Sequence, residues 1–199
     1  MSTAVEFDPA THSYTVAGRK FPSVTQIIGE ARLENFDYVN AGVLDAARMF
    51  GRHVHEATHL YDIGELDIAN LDHALVPFVE AWGQFLDDTG AVVISSEQPL
   101  VHEKLGYAGT PDRILSWGNR IVLPDIKATA AVPRTVGCQT AAYAKAYAAE
   151  RRAREPHRYC IHLTPGGRGK PYKSHVRNDP ADFSLFLSAL NCYRFRHAT

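Results

Sequence analysis

Three observations place this chain in the α/β class, as a short mixed central β-sheet flanked by α-helices and preceded by an N-terminal hairpin and helices. Two helix-like stretches occupy about residues 41–61 and 71–88, the second closed near Gly90. Strand-like segments follow in close succession at 91–96, 106–116 and 120–128. An alanine-rich helical segment, 135–152, then separates these from a further strand at 158–164. Helices, a run of strands, a helix and another strand pack most simply as a sheet with helices against its faces.

Taken in order, Phe7 to Phe21 reads as a small hairpin, with Ser13-Tyr14-Thr15-Val16 as strand and Ala17-Gly18 as turn. After Pro22, Ser23 and Gln26 have the spacing of a helix capping box. Gly118-Asn119 is the turn between the strands 106–116 and 120–128. Past the strand at 158–164, Gly166-Gly167-Arg168-Gly169 forms a flexible turn whose return strand is 172–176. Asp179-Pro180 opens a last helix with Phe183, Phe186, Leu187, Leu190 and Tyr193 at core-facing spacing. There is no internal repeat, low-complexity tract or long linker, and 199 residues suit one domain with a real core.

Composition is that of an ordinary globular protein, and no apolar stretch approaches the length that spans a bilayer. The segment Met1–Asp8 has neither a basic start nor an apolar signal core, so a cytoplasmic location and no membrane partner are expected. Cys138, Cys160 and Cys192 are scattered and form neither a zinc knuckle nor a disulfide framework. The net charge of −1 conceals an asymmetry. Residues 1–103 carry 5 Lys and Arg against 16 Asp and Glu, residues 104–199 carry 16 against 6, and the formal charges are −11 and +10. Such a split fits either a basic surface that holds a polyanion or two halves that neutralise each other.

The chemistry concentrates in a spaced acidic pair with a lysine: Asp112, then Asp125-Ile126-Lys127. Two carboxylates on neighbouring strands can share a divalent cation. Lys127, two residues past Asp125, projects to the same side of the sheet. Hard cations such as Mg²⁺ take oxygen ligands and keep water positions open. This is apparatus for hydrolysing a phosphodiester. A competing motif is His55-Glu56-Ala57-Thr58-His59, a literal H-E-x-x-H. On a helix its two histidines would share a face around zinc with Glu56 as general base, and Asp62 or Glu65 as third ligand.

Several stretches together resemble the PD-(D/E)XK nucleases, in the branch that holds RecB-like and Cas4-like nucleases and the phage or mitochondrial genome-maintenance exonucleases. They are Pro22-Ser23-Val24-Thr25, Gly51-Arg52-His53-Val54-His55, Glu97, Gly109-Thr110-Pro111-Asp112, Asp125-Ile126-Lys127 and Gln139-Thr140-Ala141-Ala142-Tyr143. The resemblance implies a restriction-endonuclease-like core, with 1–199 as one nuclease domain, 1–90 as N-terminal hairpin and helices and 91–199 as catalytic core. It implies one or two Mg²⁺ or Mn²⁺ ions held by His55, Asp112, Asp125 and the backbone carbonyl of Ile126. Lys127 would orient the attacking water or neutralise charge on the phosphate, and Glu97 would add a metal or water contact. Gln139 and Tyr143, one helical turn apart, would position the substrate or the helix.

The substrate implied is DNA, single- or double-stranded, attacked from an end, in phage or mobile-element recombination, repair or processing. Bacterial or phage-infected host cytosol and a recombination or loading partner protein fit that setting. Branch members with an iron–sulfur cluster carry four cysteines; this chain departs from that pattern, and no cluster is expected. Arg113, Arg134, Lys145, Arg168 and Lys170 are the expected nucleic-acid contacts, since cationic side chains along a groove track phosphates. Besides the zinc protease, a non-catalytic nucleic-acid-binding protein is the alternative, although such a protein has no need of Asp112, Asp125 and Lys127 together.

Overall fold

The computed structural model of the chain describes residues 5–8, 13–34 and 39–198. The hairpin turn at Ala17-Gly18 has positive φ at both residues, 49° and 78°, as the twist of a tight hairpin demands. It joins β2 (Ser13–Val16) to β3 (Arg19–Phe21), and β1 (Glu6–Asp8) pairs outside β2 to complete a small sheet. The β1–β2 connection of the expected hairpin, residues 9–12, lies outside the described residues. Ser23 caps α1 (Val24–Glu30) by accepting from the Gln26 N–H at 2.9 Å. Only half of the capping box forms, because the Gln26 side chain turns to Glu30 at 3.4 Å.

Asn40 caps α2 (Ala41–Ile63), and the chain leaves it through Gly64 at φ 73°, a left-handed stop that suits glycine. The next helix starts later than its expected position at 71. A short 3₁₀ turn at Ile68–Asn70 intervenes, and α3 (Val76–Thr89) begins with Pro77 in its first turn. There a missing N–H leaves no hydrogen bond unmade. Gly90 ends α3 at φ 63°.

The expected strand at 106–116 is two strands. After β4 (Val92–Ser96) and a short β5 (Leu100–His102) that sequence patterning missed, β6 (Tyr107–Gly109) pairs back onto β5. Thr110-Pro111-Asp112 then breaks the run, and β7 (Arg113–Trp117) pairs with β4. Gly118 and Asn119, at φ 55° and 60°, turn the chain into β8 (Arg120–Lys127). Then come α4 (Val136–Arg151), β9 (His157–Leu163), β10 (Tyr172–Val176) and α5 (Ala181–His197). The central sheet has five strands in the order β10-β9-β8-β7-β4. It is mixed, as expected: β8 and β9 run parallel across the α4 crossover, and the other neighbours are antiparallel.

Alternation along β8 divides the core. Leu123 packs with Ile114, Tyr107, Tyr143, Phe186 and Leu190 beneath α1, α4 and α5. Val122 and Ile126 pack on the opposite face with Leu115, Ile161, Val54, Trp82 and Phe85 beneath α2 and α3. Asp125 and Lys127 therefore share the Leu123 face. The alanines of α4 are small because the helix is enclosed: Ala141, Ala142, Ala144 and Ala146 are all buried. The N-terminal sheet rests Tyr14, Val16 and Phe21 on Val101 and Ala108. Ser23 forms a parallel bridge with Ala108, whose N–H donates to the Pro22 carbonyl at 3.0 Å.

At Gly109 two layers meet closely. A Cβ there would stand 2.5 Å from Tyr143 Cε1 and 3.3 Å from Val24 Cγ2. Overpacking a core site of this kind costs about 1–3 kcal/mol. Gly109→Ala is therefore expected to lower urea-unfolding stability by that amount, and trimming the ring in Gly109→Ala/Tyr143→Leu should return part of it. Additive losses in the double variant would contradict this packing.

Candidate metal centre

Pro124 lacks the N–H that a central strand normally donates. The β7–β8 register runs from Trp117↔Arg120 to Leu115↔Val122, and the next pair on this face would have set Pro124 against Arg113. The ladder stops there. The Ile126 N–H is thereby left for a side chain, and Asp112 Oδ2 accepts from it at 2.6 Å. The other carboxylate oxygen of Asp112, Oδ1, lies 3.2 Å from His55 Nδ1 on α2.

Glu97 arrives by a bent path. The β4–β7 register shifts between Val93 and Ser95, a bulge. Glu97 just beyond has φ 51°, a left-handed conformation that is unusual outside glycine and concentrates at functional sites. Its N–H donates to the Asp112 carbonyl at 3.0 Å. The result is a cluster of His55, Glu97 and Asp112 with one ligand atom from each within 4.8 Å of the others.

Asp125 lies beside this cluster rather than in it. Lys127 Nζ is 2.9 Å from Asp125 Oδ1 and 2.8 Å from Oδ2. Although Nζ is near, the buried Oδ2 receives no well-directed hydrogen bond among the described residues. Among the described residues, the ligand atoms that converge are those of Asp112, Glu97 and His55, while Asp125 holds the lysine. Asp125 stands opposite Cys160 on the parallel neighbour β9. Burial, with Asp125 adding, pushes that thiol up to about 12, which suits packing rather than reactivity.

The electrostatics follow from crowding. Burial alone would raise Asp112, but the His55 charge and hydrogen bond, with Lys127, hold it well below the usual carboxylate range. Burial, reinforced by the Asp112 charge, pushes Glu97 up to about 7. Asp125 is also raised, by burial and then by Asp112, against the pull of Lys127. Burial would lower both His55 and Lys127; the neighbouring carboxylates overcome it and raise them. A divalent cation would relieve the repulsion between Glu97 and Asp112.

Gln139 and Tyr143 come together on α4, the amide donating to the phenol at 3.5 Å. Tyr143 is buried in the core against Gly109, and burial raises its phenol well above its ordinary value. The H-E-x-x-H run does not assemble around one point. His55 joins Glu97 and Asp112, whereas His59 Nδ1 is 2.6 Å from Ser96 Oγ. Glu56 and Glu65 are exposed, and Asp62 bonds Trp82 and Arg113.

The expected phosphate contacts divide. Arg113 corrects the expectation: it has no exposed surface and is held by Asp62 and Glu97, so it cannot meet a strand of DNA. Lys145 pairs with Glu155 and lies over Phe183. Lys170 pairs with Asp88 at 2.8 Å, which neutralises charge between the acidic and basic halves. Arg168 is exposed in the glycine turn, and Arg134 lines a cleft of about 820 Å³ at the amino-terminal ends of α4 and α5. Tyr107, Tyr147 and Tyr172 are buried, so their rings are not free to stack on bases. Sequence reading missed Thr58 and Trp82, and it weighed Asp62 only as a zinc ligand. His55, Thr58 and Asp62 stand at i, i+3 and i+7 of one helix, a spacing that puts all three on one face.

No protein-family model matches this sequence, and no curated protein matches it. Among solved structures, an alkaline exonuclease from Laribacter hongkongensis aligns over 88% of this chain and 92% of its own, at 15% identity and a TM-score of 0.35. That similarity is too distant to assign a role to any residue.

Glu97 is raised from 4.5 to about 7, so the folded metal-free protein favours its protonated form. Its ionisation opposes folding from about pH 4.5 upward and fully above about pH 7. In EDTA, Glu97→Gln should therefore melt higher than wild type at pH 8 and alike at pH 4. A lower melting temperature for the variant at pH 8 would contradict this crowding.

Proposed function

We propose that this chain is a metal-dependent nuclease of the PD-(D/E)XK type that hydrolyses phosphodiester bonds in DNA, acting as an exonuclease. The observation that carries the reading is the convergence of His55, Glu97 and Asp112 beside the Asp125–Lys127 pair. The donor set of one imidazole and two carboxylates contains no thiolate. Together with the crowded charge on Glu97 and Asp112, it fits Mg²⁺ or Mn²⁺.

One or two such ions would be held by His55, Glu97 and Asp112, with Asp125 and the carbonyl of Ile126 alongside. A bound ion supplies charge stabilisation on the phosphoryl oxygens and lowers the pKa of its water. The chain's own residues do the rest. Lys127, kept protonated by Asp125 and Asp112, orients the attacking water or neutralises charge as it develops on the phosphate. Asp125 fixes the direction of the ammonium through the hydrogen bond to its Oδ1. Gln139 and Tyr143 set how α4 lies over this corner of the sheet. Arg134 and Arg168 meet the flanking phosphates without reading sequence.

End-labelled single- and double-stranded DNA incubated with Mg²⁺ or Mn²⁺ tests the reading. Cleavage is expected with metal and absent in EDTA, with Asp125→Ala inactive. Lys127→Ala should lose about 10²–10³-fold in rate while Mn²⁺ binding is kept. Salt-sensitive DNA binding with no cleavage would favour the non-catalytic alternative. Stoichiometric zinc with proteolysis would favour the H-E-x-x-H reading.

Metal uptake must also follow pH. Glu97 and His55 are both raised, and each gives up its proton when it becomes a ligand. Mn²⁺ affinity should therefore climb from pH 6 to pH 8, by about tenfold or more. Calorimetric titration at the two pH values checks this, and a flat profile would contradict the assignment of these two residues.

A further inference from the structure

Arg113 is an unusual charge, a guanidinium with no exposed surface beside the fully buried Trp82. Each of its three nitrogens has a partner. Nε donates to Asp62 Oδ2, and the other Asp62 oxygen accepts from Trp82 Nε1 at 2.8 Å. The guanidinium carbon stands 5.6 Å from the Trp82 ring centre. Its two terminal nitrogens reach toward the metal cluster. NH1 donates to the Asp112 carbonyl at 2.6 Å and lies 3.4 Å from Glu97 Oε1. NH2 donates to Thr58 Oγ1 at 3.1 Å, and the Thr58 hydroxyl donates in turn to the His55 carbonyl at 3.0 Å.

We infer that Arg113 is the positioning residue of the metal centre: one buried guanidinium, fixed by Asp62 and Trp82, sets the mutual geometry of His55, Glu97 and Asp112. The inference rests on the metal reading above. The three ligands come from elements without sequence continuity, α2, the residue after β4 and the residue before β7. Arg113 is bonded to a carrier of each. Groups that orient metal ligands in this way change metal affinity by about 10–100-fold when removed. The planar fork of arginine suits the task, because its donors keep fixed angles while bonding several acceptors. A lysine would offer one nitrogen in place of three.

The pairing with Asp62 explains how the charge is tolerated. A buried ion pair replaced as a pair by apolar side chains of similar size often leaves a fold intact, whereas loss of one partner does not. Asp62→Leu/Arg113→Met is thus the informative double variant, and Thr58→Val removes only the link to His55. Mn²⁺ binding is read by the loss of the free-ion electron paramagnetic resonance signal, beside thermal unfolding in EDTA, with Asp112→Asn as the ligand control.

The double variant is expected to bind Mn²⁺ 10–100-fold more weakly than wild type. Thr58→Val, which leaves the buried Arg113 NH2 donor unmet, should weaken binding by several-fold with a lowered melting temperature, and Thr58→Ser, which keeps the hydroxyl, should restore the binding. A folded double variant that binds Mn²⁺ within about twofold of wild type overturns the inference. Should the double variant fail to fold, Thr58→Val decides: wild-type affinity there overturns it too. A wild-type protein that takes up no Mn²⁺ overturns the metal reading and this inference together, whereas equal binding by wild type and variants overturns this inference alone.

Discussion

The carboxylate of Asp112 is the contact on which the site depends. It is buried, with Oδ1 3.2 Å from His55 Nδ1 and Oδ2 accepting the Ile126 N–H at 2.6 Å. One side chain thereby joins helix α2 to strand β8 where the β7–β8 ladder has already ended. Its own carbonyl accepts from the Glu97 N–H and from Arg113. A buried carboxylate is costly unless its charge is compensated. Here a histidine, a backbone N–H and the nearby lysine supply that compensation, and the acid stays ionised. Moving any of these elements would leave the charge unmet, so the geometry of the corner is set by electrostatics as much as by packing.

Much of this was legible in the sequence because it obeys local rules. The period of two along 120–127 placed Asp125 and Lys127 on one face, and the structure pairs them. Turn chemistry marked Ala17-Gly18, Gly118-Asn119 and Gly90. What was not legible is long-range. Whether 106–116 forms one strand or two depends on β5 and β4 as separate partners, and β5 is three residues long. Asp112 and Asp125 pair in the sequence because they sit on neighbouring strands, and Glu97 is expected only through the family resemblance. The bulge and left-handed residue that bring Glu97 to Asp112 are announced by no periodicity. Arg113 read as a surface cation because arginines usually are. Its burial follows from Asp62 and Trp82, 51 and 31 residues earlier in the sequence.

The same corner concentrates features that a stable fold would avoid: a non-glycine residue at φ 51°, two crowded carboxylates and a buried guanidinium. The rest of the molecule follows stability rules, with two apolar layers on a five-stranded sheet and alanines where α4 is enclosed. Departures from local rules gathered at one place are what a functional site looks like physically. The charge asymmetry between the two halves has a mixed meaning. Lys170–Asp88 joins the acidic and basic segments, while Arg134 and Arg168 remain exposed.

Diffraction from crystals grown with Mn²⁺, collected near the manganese edge, would locate the ion among the side chains of this site. An anomalous peak is expected in contact with His55, Glu97 and Asp112, with Lys127 still on Asp125. A peak bridging His55 and His59, or metal bound elsewhere with none at Asp112, would contradict this placement.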